Sequence, residues 1–347
     1  MTTVAIVILN FNGKHFLQQF LPAVLAFSDG SRIVVADNGS TDQSAEFVKE
    51  KFPEIELIRL DENKGFCGGY NTVLKQINAT YYVLLNSDVE VTPHWLEPVI
   101  QLMDSDPGIA AAQPKILSYR NKNKFEYAGA AGGLIDRLGY PFCRGRIFDS
   151  LEEDHGQYND TVPIFWASGA CLFIRADQYH AMGGLDEDFF AHMEEIDLCW
   201  RLTRAGYSIF YQGKSTVYHV GGGTLSASNP RKTYFNFRNG LSLLVKHQRF
   251  SSLIWKFPLR IVLDWAAALH FLSTGSAIHA KAVIIAHLSF FKKIGQEIVK
   301  RAAVARRVHS FKTGTIYAGL IVFDYFLFRK RSIDQLKIKN PKSYSSF

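Results

Sequence analysis

The sequence predicts an α/β fold in which helices flank a mostly parallel sheet, followed by a helical, basic C-terminal region. Two observations predict this arrangement. In the first 90 residues, short apolar runs alternate with longer stretches typical of helices, the pattern of a parallel sheet with right-handed crossovers. After residue 230 the chain becomes helical, basic and aromatic. We therefore predict one domain over residues 1–230 and a helical region over residues 231–347.

Four apolar runs are predicted to be the first strands of the sheet. An uninterrupted apolar run indicates a strand that is buried on both faces, and the four runs are Val4 to Leu9, Ile33 to Ala36, Ile55 to Arg59 and Tyr81 to Leu85. A helix is expected after each of the first three. The first helix ends near Phe27, the second is capped by Ser40 or Thr41, and the third follows a glycine-rich turn over residues 65–71. Because ligands of parallel sheets bind at the carboxyl ends of the strands, polar residues there are the first site candidates.

The later part of the first domain gives a mixed signal. Residues 115–161 follow no clear strand or helix pattern. The segment "EEIDLCWRLTRAG" alternates apolar with charged residues and predicts an amphipathic helix that Gly206 ends. The segment "STVYHVGGGT" predicts a strand that ends at His219 and is followed by glycines.

The net charge of +7 is unevenly distributed along the chain. Residues 1–229 carry 18 Lys and Arg against 28 Asp and Glu, a balance of −10, whereas residues 230–347 carry 21 against four, a balance of +17. Such a basic region predicts an anionic partner, either a nucleic acid or a membrane surface. The sequence contains no recognisable nucleic-acid-binding motif. An anionic membrane surface is therefore the favoured partner, and no nucleic acid is expected.

Charged residues interrupt the apolar stretches of the C-terminal region. None of these stretches has the roughly 20 clean apolar residues of a membrane-spanning helix. We expect helices that lie in the membrane interface, with their apolar side in lipid and their Lys and Arg toward anionic headgroups. The alternative is a helical domain that packs on the first domain and forms an oligomer.

The cysteines and the N-terminus bear on the cellular compartment. Cys67, Cys143, Cys171 and Cys199 fit neither zinc nor disulfide spacing, which predicts reduced thiols in a cytoplasmic setting. The N-terminus lacks the basic leader of a signal peptide. We expect a cytoplasmic protein that is peripheral on the inner face of the cell membrane.

Five short motifs follow one another along the first domain. They are "ADNGSTD" (36–42), "ENKGFCGGYN" (62–71), "NSD" (86–88), "GGLDEDFFAHMEEIDLCWR" (183–201) and "YHVGGGT" (218–224). In this order they resemble the family 2 glycosyltransferases with the GT-A fold, especially the rhamnosyltransferase-like branch. The resemblance covers about residues 3–225. It implies the transfer of a sugar from a nucleotide-diphosphate donor.

Residues near the strand ends are the candidates for binding the donor. Asp37 follows a buried strand, where its carboxylate could accept from a nucleobase or ribose; an Asx turn is the other interpretation of "DNGSTD". The glycines of "NKGFCGGYN" permit close backbone approach, but the segment matches neither a P-loop nor a dinucleotide fold, and it could simply be a tight turn. The resemblance favours donor binding by Asn10, Asp37, Asn63, Gly65, Ser87, Ser168 and Gly169.

Asp88 and His219 are the candidate metal ligands. The resemblance places Asp88 in the metal-binding DxD-type triplet, here reduced to "NSD", and His219 at a metal-binding histidine. Mg²⁺ and Mn²⁺ need few protein ligands because diphosphate oxygens and waters complete their coordination, and an imidazole ligand favours Mn²⁺. From the residues alone, Asp88 could instead cap a helix before "VTPHW", and an isolated histidine is more often structural.

Glu194 and Glu195 begin the predicted amphipathic helix. The positive end of the helix dipole is expected to lower their pKa values and keep both side chains ionised. In the resembling family the second acid of this pair is the general base, but the usual pair is Glu-Asp, and the extra methylene of Glu195 moves its carboxylate by about 1.5 Å. Asp197 is expected on the polar face of the helix. Trp166 and Asp186 are candidates on the acceptor side.

These residues predict an inverting glycosyltransferase, because a single base and a metal without a covalent nucleophile imply one displacement. A dTDP-deoxysugar donor is favoured, with UDP- and GDP-sugars as alternatives. The predicted acceptor is a lipid-linked oligosaccharide or another precursor of a cell-envelope polysaccharide. The first alternative function is a sugar-nucleotide-binding scaffold or weakly active homologue. The second is a sugar-nucleotide pyrophosphorylase. Such an enzyme needs a glycine-rich loop with Arg or Lys after its first strand, and "LNFNGKHF" in this sequence matches that loop poorly.

Overall fold

The structure is a computed structural model that describes residues 2–221, 229–308, 315–336 and 338. The strands are β1 (Val4–Asn10), β2 (Arg32–Asn38), β3 (Glu56–Leu60), β4 (Tyr81–Asn86), β5 (Val89–Val91), β6 (Ile109–Ser118), β7 (Gly133–Asp136), β8 (Pro141–Cys143), β9 (Arg146–Ile147), β10 (Ser150–Leu151), β11 (Thr161–Ile164), β12 (Cys171–Arg175), β13 (Ser208–His219) and β14 (Ile316–Tyr317). The α-helices are α1 (Lys14–Ala26), α2 (Ser44–Lys51), α3 (Gly65–Leu74), α4 (Glu97–Ser105), α5 (Ala176–Ala181), α6 (Glu194–Arg204), α7 (Pro230–His247), α8 (Phe250–Ser273), α9 (Ala277–Lys292), α10 (Ile294–Arg307) and α11 (Ile321–Phe326).

The central sheet confirms the predicted α/β fold. Its strand order is β11-β13-β6-β12-β4-β1-β2-β3, with β5 paired to β13. The strands β3, β2, β1 and β4 are parallel, whereas β12 runs antiparallel to both of its neighbours. Asn10 pairs with Asp37 across β1 and β2, and Leu9 pairs with Asn86 across β1 and β4. The carboxyl ends of these three strands therefore meet at one edge of the sheet.

Apolar layers cover both faces of the sheet. On β1, Ile6 and Ile8 pack in one layer with residues of α1 and α4, and Ala5 and Val7 pack in the other with residues of α3 and α6. Successive side chains of a strand point to opposite faces, so a strand between two helical layers must be apolar throughout. This burial explains the continuous apolar runs in the sequence.

Residues 115–161 complete β6 and then form a second, smaller sheet. Its order is β10-β9-β8-β7-β14, and β14, which pairs with β7, comes from the C-terminal region. The strands β7 to β10 have four, three, two and two residues. Runs this short contain at most two repeats of the strand period, so the sequence shows no readable alternation there.

The second helix begins later than predicted. Helix α2 starts at Ser44, so neither Ser40 nor Thr41 caps it. Both residues instead bond to Asn12: Ser40 Oγ accepts from its backbone N–H at 3.0 Å, and the Thr41 N–H donates to its Oδ1 at 2.7 Å. The turn is thus held to the end of β1 before the helix starts.

The glycine-rich segment over residues 65–71 is part of α3, and the predicted turn is wrong. A Cβ on Gly69 would lie 2.8 Å from the Leu9 side chain. Glycine at this position lets α3 pack closely against β1. The glycines therefore serve the packing of a helix on the sheet as well as the loop that precedes it.

Two later predictions are confirmed. The amphipathic segment forms α6, which ends two residues before Gly206, and β13 ends at His219. Residues 230–307 form the helices α7 to α10, and α7 packs against α9 through Leu241, Val245 and Phe290. Among the described residues, no helix has both the length and the apolar character needed to cross a membrane.

Candidate functional site

A buried polar cluster lies at the carboxyl ends of β1 and β2. Asn10 Nδ2 is 3.3 Å from Ser40 Oγ and 3.5 Å from Asp37 Oδ1, and the Ser40 N–H donates to Asp37 Oδ2 at 3.3 Å. Asn10 and Asp37 are almost fully buried, and Asn10 Oδ1 has no hydrogen-bond partner within the described residues. Leaving a buried acceptor unsatisfied costs about 1–3 kcal/mol. This oxygen can therefore accept from an N–H or O–H of a ligand.

Asn38, which the sequence analysis did not single out, ties the glycine-rich loop to this edge. Its Nδ2 donates to Asn63 Oδ1 at 3.1 Å and to Gly65 O at 3.0 Å, while its Oδ1 accepts from the Lys64 N–H at 3.0 Å. Asn63 Oδ1 also accepts from the Gly65 N–H at 2.8 Å. The start of α3 is thereby fixed to the end of β2.

Asp88 lies in the turn between β4 and β5, so it does not cap a helix. The neighbouring Ser87 is part of the polar cluster. A Cβ on Gly13 would overlap the Asn10 side chain and would lie 3.3 Å from Ser87 Oγ, so these two side chains are close to each other. The "NSD" triplet therefore lies next to Asn10, one of the candidate donor-binding residues.

His219 lies between two carboxylates at the end of β13. Its Nε2 is 3.1 Å from Asp88 Oδ1, and its Nδ1 is 3.3 Å from Glu126 Oε2, a close ion pair that is not aligned as a hydrogen bond. All three side chains are buried. Burial lowers the pKa of His219, but Asp88 and Glu126 outweigh this effect and raise the pKa to about 10. The two carboxylates thus form a pocket that stabilises positive charge.

Asp88 Oδ1 and His219 Nε2 are spaced as two ligands of one metal ion. Neighbouring ligands of an octahedral ion, with bonds of about 2.1 Å, lie about 3 Å apart, close to the 3.1 Å between these atoms. The sequence analysis expected both side chains to reach one site, and the structure brings them together. In the part of the chain that the structure describes, no group of three or more His, Cys, Asp or Glu side chains could hold an ion.

Glu194 and Glu195 open α6, but their electrostatic state differs from the prediction. The Oε2 atom of each is buried without a hydrogen-bond partner among the described residues. Burial raises the pKa of Glu195 to about 7. Burial, and next the charge of Glu195, raise the pKa of Glu194 well above its usual range. The expectation of lowered pKa values is wrong, because the loss of water outweighs the helix dipole.

One short segment connects Glu195 to the candidate metal ligands. The backbone N–H of Gly169 bonds to the Glu195 carboxylate. The next residue, Ala170, accepts at its carbonyl from the Asn86 N–H at 3.0 Å. The Asn86 side chain in turn has its Nδ2 3.4 Å from His219 Nε2. The carboxylate of Glu195 and the Asp88–His219 pair are therefore connected through residues 169–170 and Asn86.

Ser168 holds that segment in place from inside the protein. Its hydroxyl donates to Ala128 O at 2.9 Å and its N–H donates to Gln113 Oε1 at 2.9 Å. Trp166 is also buried, with 4% of its surface exposed, and its indole N–H donates to Leu134 O at 2.9 Å. These contacts are structural, and the donor role of Ser168 and the acceptor-side role of Trp166 stay predictions.

Asp197 lies on the polar face of α6, as the sequence analysis expected, but this face is buried in the protein. It is completely buried, and its carboxylate pairs with Arg201 at 2.8 Å, Lys246 at 2.7 Å and His247 at 2.8 Å. Burial opposes ionisation, but Lys246 and Arg201 hold the pKa of Asp197 well below its usual range. The polar face of α6 is polar because it meets basic residues of α7.

Asp186 is held by the C-terminal helices. Its Oδ2 accepts from Lys246 Nζ of α7 at 2.7 Å, and its Oδ1 accepts from Lys300 Nζ of α10 at 2.6 Å. Both carboxylate oxygens thus have a lysine partner. Orientation of an acceptor by Asp186 stays a prediction, and the observed contacts join the segment before α6 to the C-terminal region.

Glu126 is the main site residue that the sequence reasoning missed. It stands in "KFEYAG", inside the stretch without a readable pattern, and no motif marks it. A Cβ on Gly221 would meet its Oε1, so the glycine after "YHV" makes room for this carboxylate. The glycine at position 221 is the one sequence feature that points to Glu126, and it can be interpreted only when the contact between the two residues is known.

The first half of the chain matches one protein family. Residues 5–164 match the model described as glycosyl transferase family 2. An N-acetylglucosaminyl-diphospho-decaprenol L-rhamnosyltransferase from Mycobacterium tuberculosis is 25% identical over 284 residues, which cover 74% of this chain and 87% of that protein. A low-salt glycan biosynthesis hexosyltransferase from Haloferax volcanii is 23% identical over 209 residues, 59% of this chain and 63% of the relative.

Two solved structures share the fold. GalNAc-T7 with UDP, GalNAc and Mn²⁺ aligns with a TM-score of 0.54 at 14% identity, over 71% of this chain and 48% of that chain, so this chain spans about half of its length. The mannosyltransferase PcManGT from Pyrobaculum calidifontis, in complex with GDP-Man and Mn²⁺, aligns with a TM-score of 0.51 at 14% identity, over 83% and 86% of the two chains. These similarities confirm the GT-A fold expected from the five motifs.

Proposed function

The chain belongs to the family 2 glycosyltransferases through the domain at residues 5–164, and from that premise we propose that it is an inverting enzyme with Glu195 as its general base. One observation carries this proposal. The Glu195 carboxylate is bound by the Gly169 N–H, has no cationic partner among the described residues, and is joined through Ala170 and Asn86 to the Asp88–His219 pair. A carboxylate with a pKa near 7 is suited to accept a proton at neutral pH.

The donor would occupy the edge formed by the ends of β1, β2 and β4. Asn10 Oδ1 offers an unsatisfied acceptor, and Asp37 and Ser87 lie beside it. A dTDP-deoxysugar is the favoured donor because of the likeness to the mycobacterial L-rhamnosyltransferase. UDP- and GDP-sugars stay alternatives, since the two structural neighbours contain UDP and GDP-Man.

Asp88 and His219 would hold a divalent ion, Mn²⁺ or Mg²⁺, as the 3.1 Å spacing of their ligand atoms supports. Such an ion, when bound, neutralises the charge of the departing diphosphate. The protein adds positive charge of its own nearby. The Arg146 guanidinium and Lys232 Nζ lie 4.1 and 4.6 Å from the centre of the Tyr127 ring, next to Glu126 in the chain.

In the proposed reaction, Glu195 takes the proton of the acceptor hydroxyl while the hydroxyl oxygen attacks the anomeric carbon. The bond between that carbon and the diphosphate oxygen breaks in the same displacement, so the configuration inverts. Burial serves this step because it raises the proton affinity of Glu195. We propose a lipid-linked saccharide as the acceptor, as the name of the mycobacterial relative suggests.

The surface of the C-terminal region supports a membrane location for this chemistry. Large apolar side chains are exposed on α8, α9, α10 and α11: Phe250, Ile254, Trp255, Val262, Trp265, Leu269, Leu272, Ile278, Ile284, Ile285, Leu288, Phe291, Ile298, Val299 and Phe326. Exposed basic residues stand among them: Arg249, Lys281, Lys292, Arg306 and Arg329. Of the four acidic residues after position 230, Asp264, Glu297 and Asp324 are buried and Asp334 is exposed. This combination fits an anionic lipid surface, whereas two copies of so basic a surface would repel each other.

A thermal-shift screen tests the donor and the metal together. The protein is heated with dTDP-, UDP- and GDP-sugars, each with and without Mn²⁺. A ligand at a hundred times its Kd stabilises the folded state by about 2.7 kcal/mol, so the cognate donor should raise Tm by several degrees. His219→Ala should lose the part of the shift that depends on Mn²⁺. If no nucleotide-sugar raises Tm, the proposed function is wrong; a shift without any sugar transfer or nucleotide release would favour the sugar-nucleotide-binding scaffold.

Vesicle sedimentation tests the membrane surface. The wild type should sediment with vesicles of phosphatidylglycerol and phosphatidylcholine at low salt, and less with phosphatidylcholine alone. Val262→Glu with Leu288→Glu should abolish sedimentation, because charges on the apolar side oppose insertion. Leu151→Glu, an exposed apolar residue of the smaller sheet, is the matched control. Concentration-dependent oligomers without vesicle binding would show that the surface is a contact between copies.

A further inference from the structure

The backbone just before α6 is bent in a way that few residues adopt. Phe190 has φ of 63° and ψ of −55°, and the Ala191 N–H donates to Phe189 O at 2.7 Å. This is a γ-turn of the rare, strained kind. His192 and Met193 follow with φ of 66° and 74°, in the left-handed region. Side chains with a Cβ disfavour this conformation, so the surrounding structure must hold the segment in place.

Asn239 of α7 supplies the contacts that hold it. Its Nδ2 is 3.2 Å from Phe189 O, 3.0 Å from Ala191 O and 2.6 Å from His192 O. The side chain is completely buried. Three carbonyl oxygens around one atom require a donor there, and an amide NH₂ provides two hydrogens. The preceding Arg238 adds a bond from Nη1 to Asp188 O at 2.6 Å.

The same turn is packed on both sides by residues of the site and of α7. The Phe190 ring is stacked on Phe235, with ring centres 5.7 Å apart. On the other side it covers Gly65, where a Cβ would lie 2.9 Å from the ring. The Phe190 carbonyl accepts from the Phe66 N–H at 3.2 Å. The segment is therefore fixed between the start of α3 and the start of the C-terminal region.

The end of this segment is the first turn of α6. Met193 O accepts the first helical bond, from the Asp197 N–H at 2.9 Å, and Glu194 and Glu195 follow directly. The left-handed residues set the direction in which the helix starts, and that direction decides where the two carboxylates point. A shift of about 1 Å at such a group can cost about 100-fold in rate.

We propose that Asn239, assisted by Arg238, is a positioning residue that fixes the strained turn at residues 189–193 and so aims Glu195 at the acceptor. This inference rests on the proposed role of Glu195 as the base. It gives the C-terminal region a second task besides membrane contact, because α7 then completes the catalytic site of the first domain.

The test uses the full chain and compares Asn239→Ala and Asn239→Asp with Leu241→Ala. Asn239→Asp keeps the shape but places an acceptor against three carbonyls. Leu241 is on the same helix and equally buried, and it packs on Val245 and Phe290, so its variant controls for loss of stability. Hydrogen exchange of the peptide over residues 188–196 is measured for each, together with kcat and KM for release of nucleoside diphosphate.

Both Asn239 variants should increase amide exchange over residues 188–196 by about tenfold relative to Leu241→Ala, since opening of the turn becomes easier. Their kcat should fall about 10–100-fold while the donor KM stays within about threefold, the pattern of a lost transition-state interaction. Leu241→Ala should lower Tm with kcat nearly unchanged.

Unchanged exchange in the Asn239 variants would overturn the proposal, and so would a loss of kcat no larger than that of Leu241→Ala. If both Asn239 variants fail to fold while Leu241→Ala folds, Asn239 is a general stability residue and the proposal is also overturned. If the wild type itself releases no nucleoside diphosphate from any nucleotide-sugar, the proposed function fails, and hydrogen exchange still decides whether Asn239 holds the turn.

Discussion

Helix α6 carries three acidic residues in its first turn, and the environment of Asp197 differs from that of Glu194 and Glu195. Asp197 is surrounded by Lys246, Arg201 and His247, and its pKa is held low. Glu194 is buried and Glu195 is half-buried with its Oε2 enclosed; neither has a cationic partner among the described residues, and their pKa values are raised. Cationic side chains therefore surround the acid that joins α6 to α7, whereas none among the described residues pairs with the two acids of the proposed reaction.

The comparison also shows which electrostatic effect dominates at a helix start. The helix dipole stabilises a negative charge by about 0.3–1 kcal/mol at exposed positions. One pKa unit corresponds to about 1.4 kcal/mol, so the rise of the Glu195 pKa from 4.5 to about 7 is worth about 3 kcal/mol. Burial therefore outweighs the dipole, and only nearby cations such as those around Asp197 reverse it.

The largest expected effect is that of Glu195→Gln on transfer. Loss of a general base typically costs about 10²–10⁴-fold in rate, and the amide keeps the size of the side chain. Sugar transfer and release of nucleoside diphosphate should fall by this factor, while the Tm shift caused by the donor stays. Glu90→Gln, at an exposed pair with Lys122, is the control. Equal turnover of Glu195→Gln and the wild type would exclude Glu195 as the base.

The wild-type rate should also depend on pH in a defined direction. Glu195 acts in its deprotonated form, and its pKa is raised to about 7. The rate is therefore low at pH 5 and rises toward pH 8, with the midpoint near 7. A kcat profile that is flat from pH 5 to 8 would contradict the raised pKa of this carboxylate and its role as the base.

The next largest effect is that of Asp197→Asn on stability. Removing the charge takes away the carboxylate that Arg201 pairs with and leaves Lys246 with Asp186 alone, in a buried place. Breaking a buried ion pair typically costs about 3–5 kcal/mol. The midpoint of urea unfolding should fall accordingly. Glu56→Gln, which breaks the exposed pair with Arg32, should cost less than about 1 kcal/mol. Similar losses for both variants would remove the contrast between Asp197 and an ordinary surface acid.

A smaller effect is expected for Glu126→Gln on metal binding. Glu126 Oε2 is 3.3 Å from His219 Nδ1, while Nε2 faces Asp88. A carboxylate behind a metal-bound histidine fixes the orientation of the ring, and its loss typically lowers metal affinity about 10–100-fold. Titration with Mn²⁺ followed by electron paramagnetic resonance measures this directly. His219→Ala should abolish the same binding, and an unchanged affinity in both variants would exclude the site.

The smallest expected effect is a gain of stability in Glu194→Gln at high pH. The folded-state pKa of Glu194 is raised above its unfolded value, so folding favours the protonated form. The contribution of the protonated group is complete below about pH 4, the usual pKa of Glu, and is lost as the pH rises through the folded-state pKa. Glutamine stays neutral throughout. The Tm of Glu194→Gln should exceed that of the wild type by a few degrees at pH 8 and match it at pH 4, and a constant difference would contradict this.

Much of the site could be predicted because its residues directly follow apolar strands. Asn10, Asp37 and Asp88 were found this way, and the parallel sheet brings them to one edge. For His219 the local sequence predicted only the end of a strand, and the resemblance to the family marked the residue as a candidate metal ligand. The start of α6 was readable from its amphipathic pattern. In each case the local sequence contains the signal, since strand and helix periods are properties of neighbouring residues.

Other features could not be predicted because they depend on residues far apart in the chain. Glu126 meets His219 across 93 positions (219 − 126), and it lies between β6 and β7, in a segment without strand or helix periodicity. Asn239 reaches the turn before α6 from 47 to 50 positions away. No motif linked these residues beforehand.

The sequence by itself determined the α/β order, the strand ends with their polar residues, the first turn of α6 and the basic C-terminal region, because these are set by local periodicity and charge. The tertiary structure alone decided which acids are ionised. Glu194, Glu195 and Asp197 look alike in the sequence, but a pKa follows from burial and from the cations nearby. The cations beside Asp197 are Arg201, from α6 itself, and Lys246 of α7, about 50 residues later in the chain.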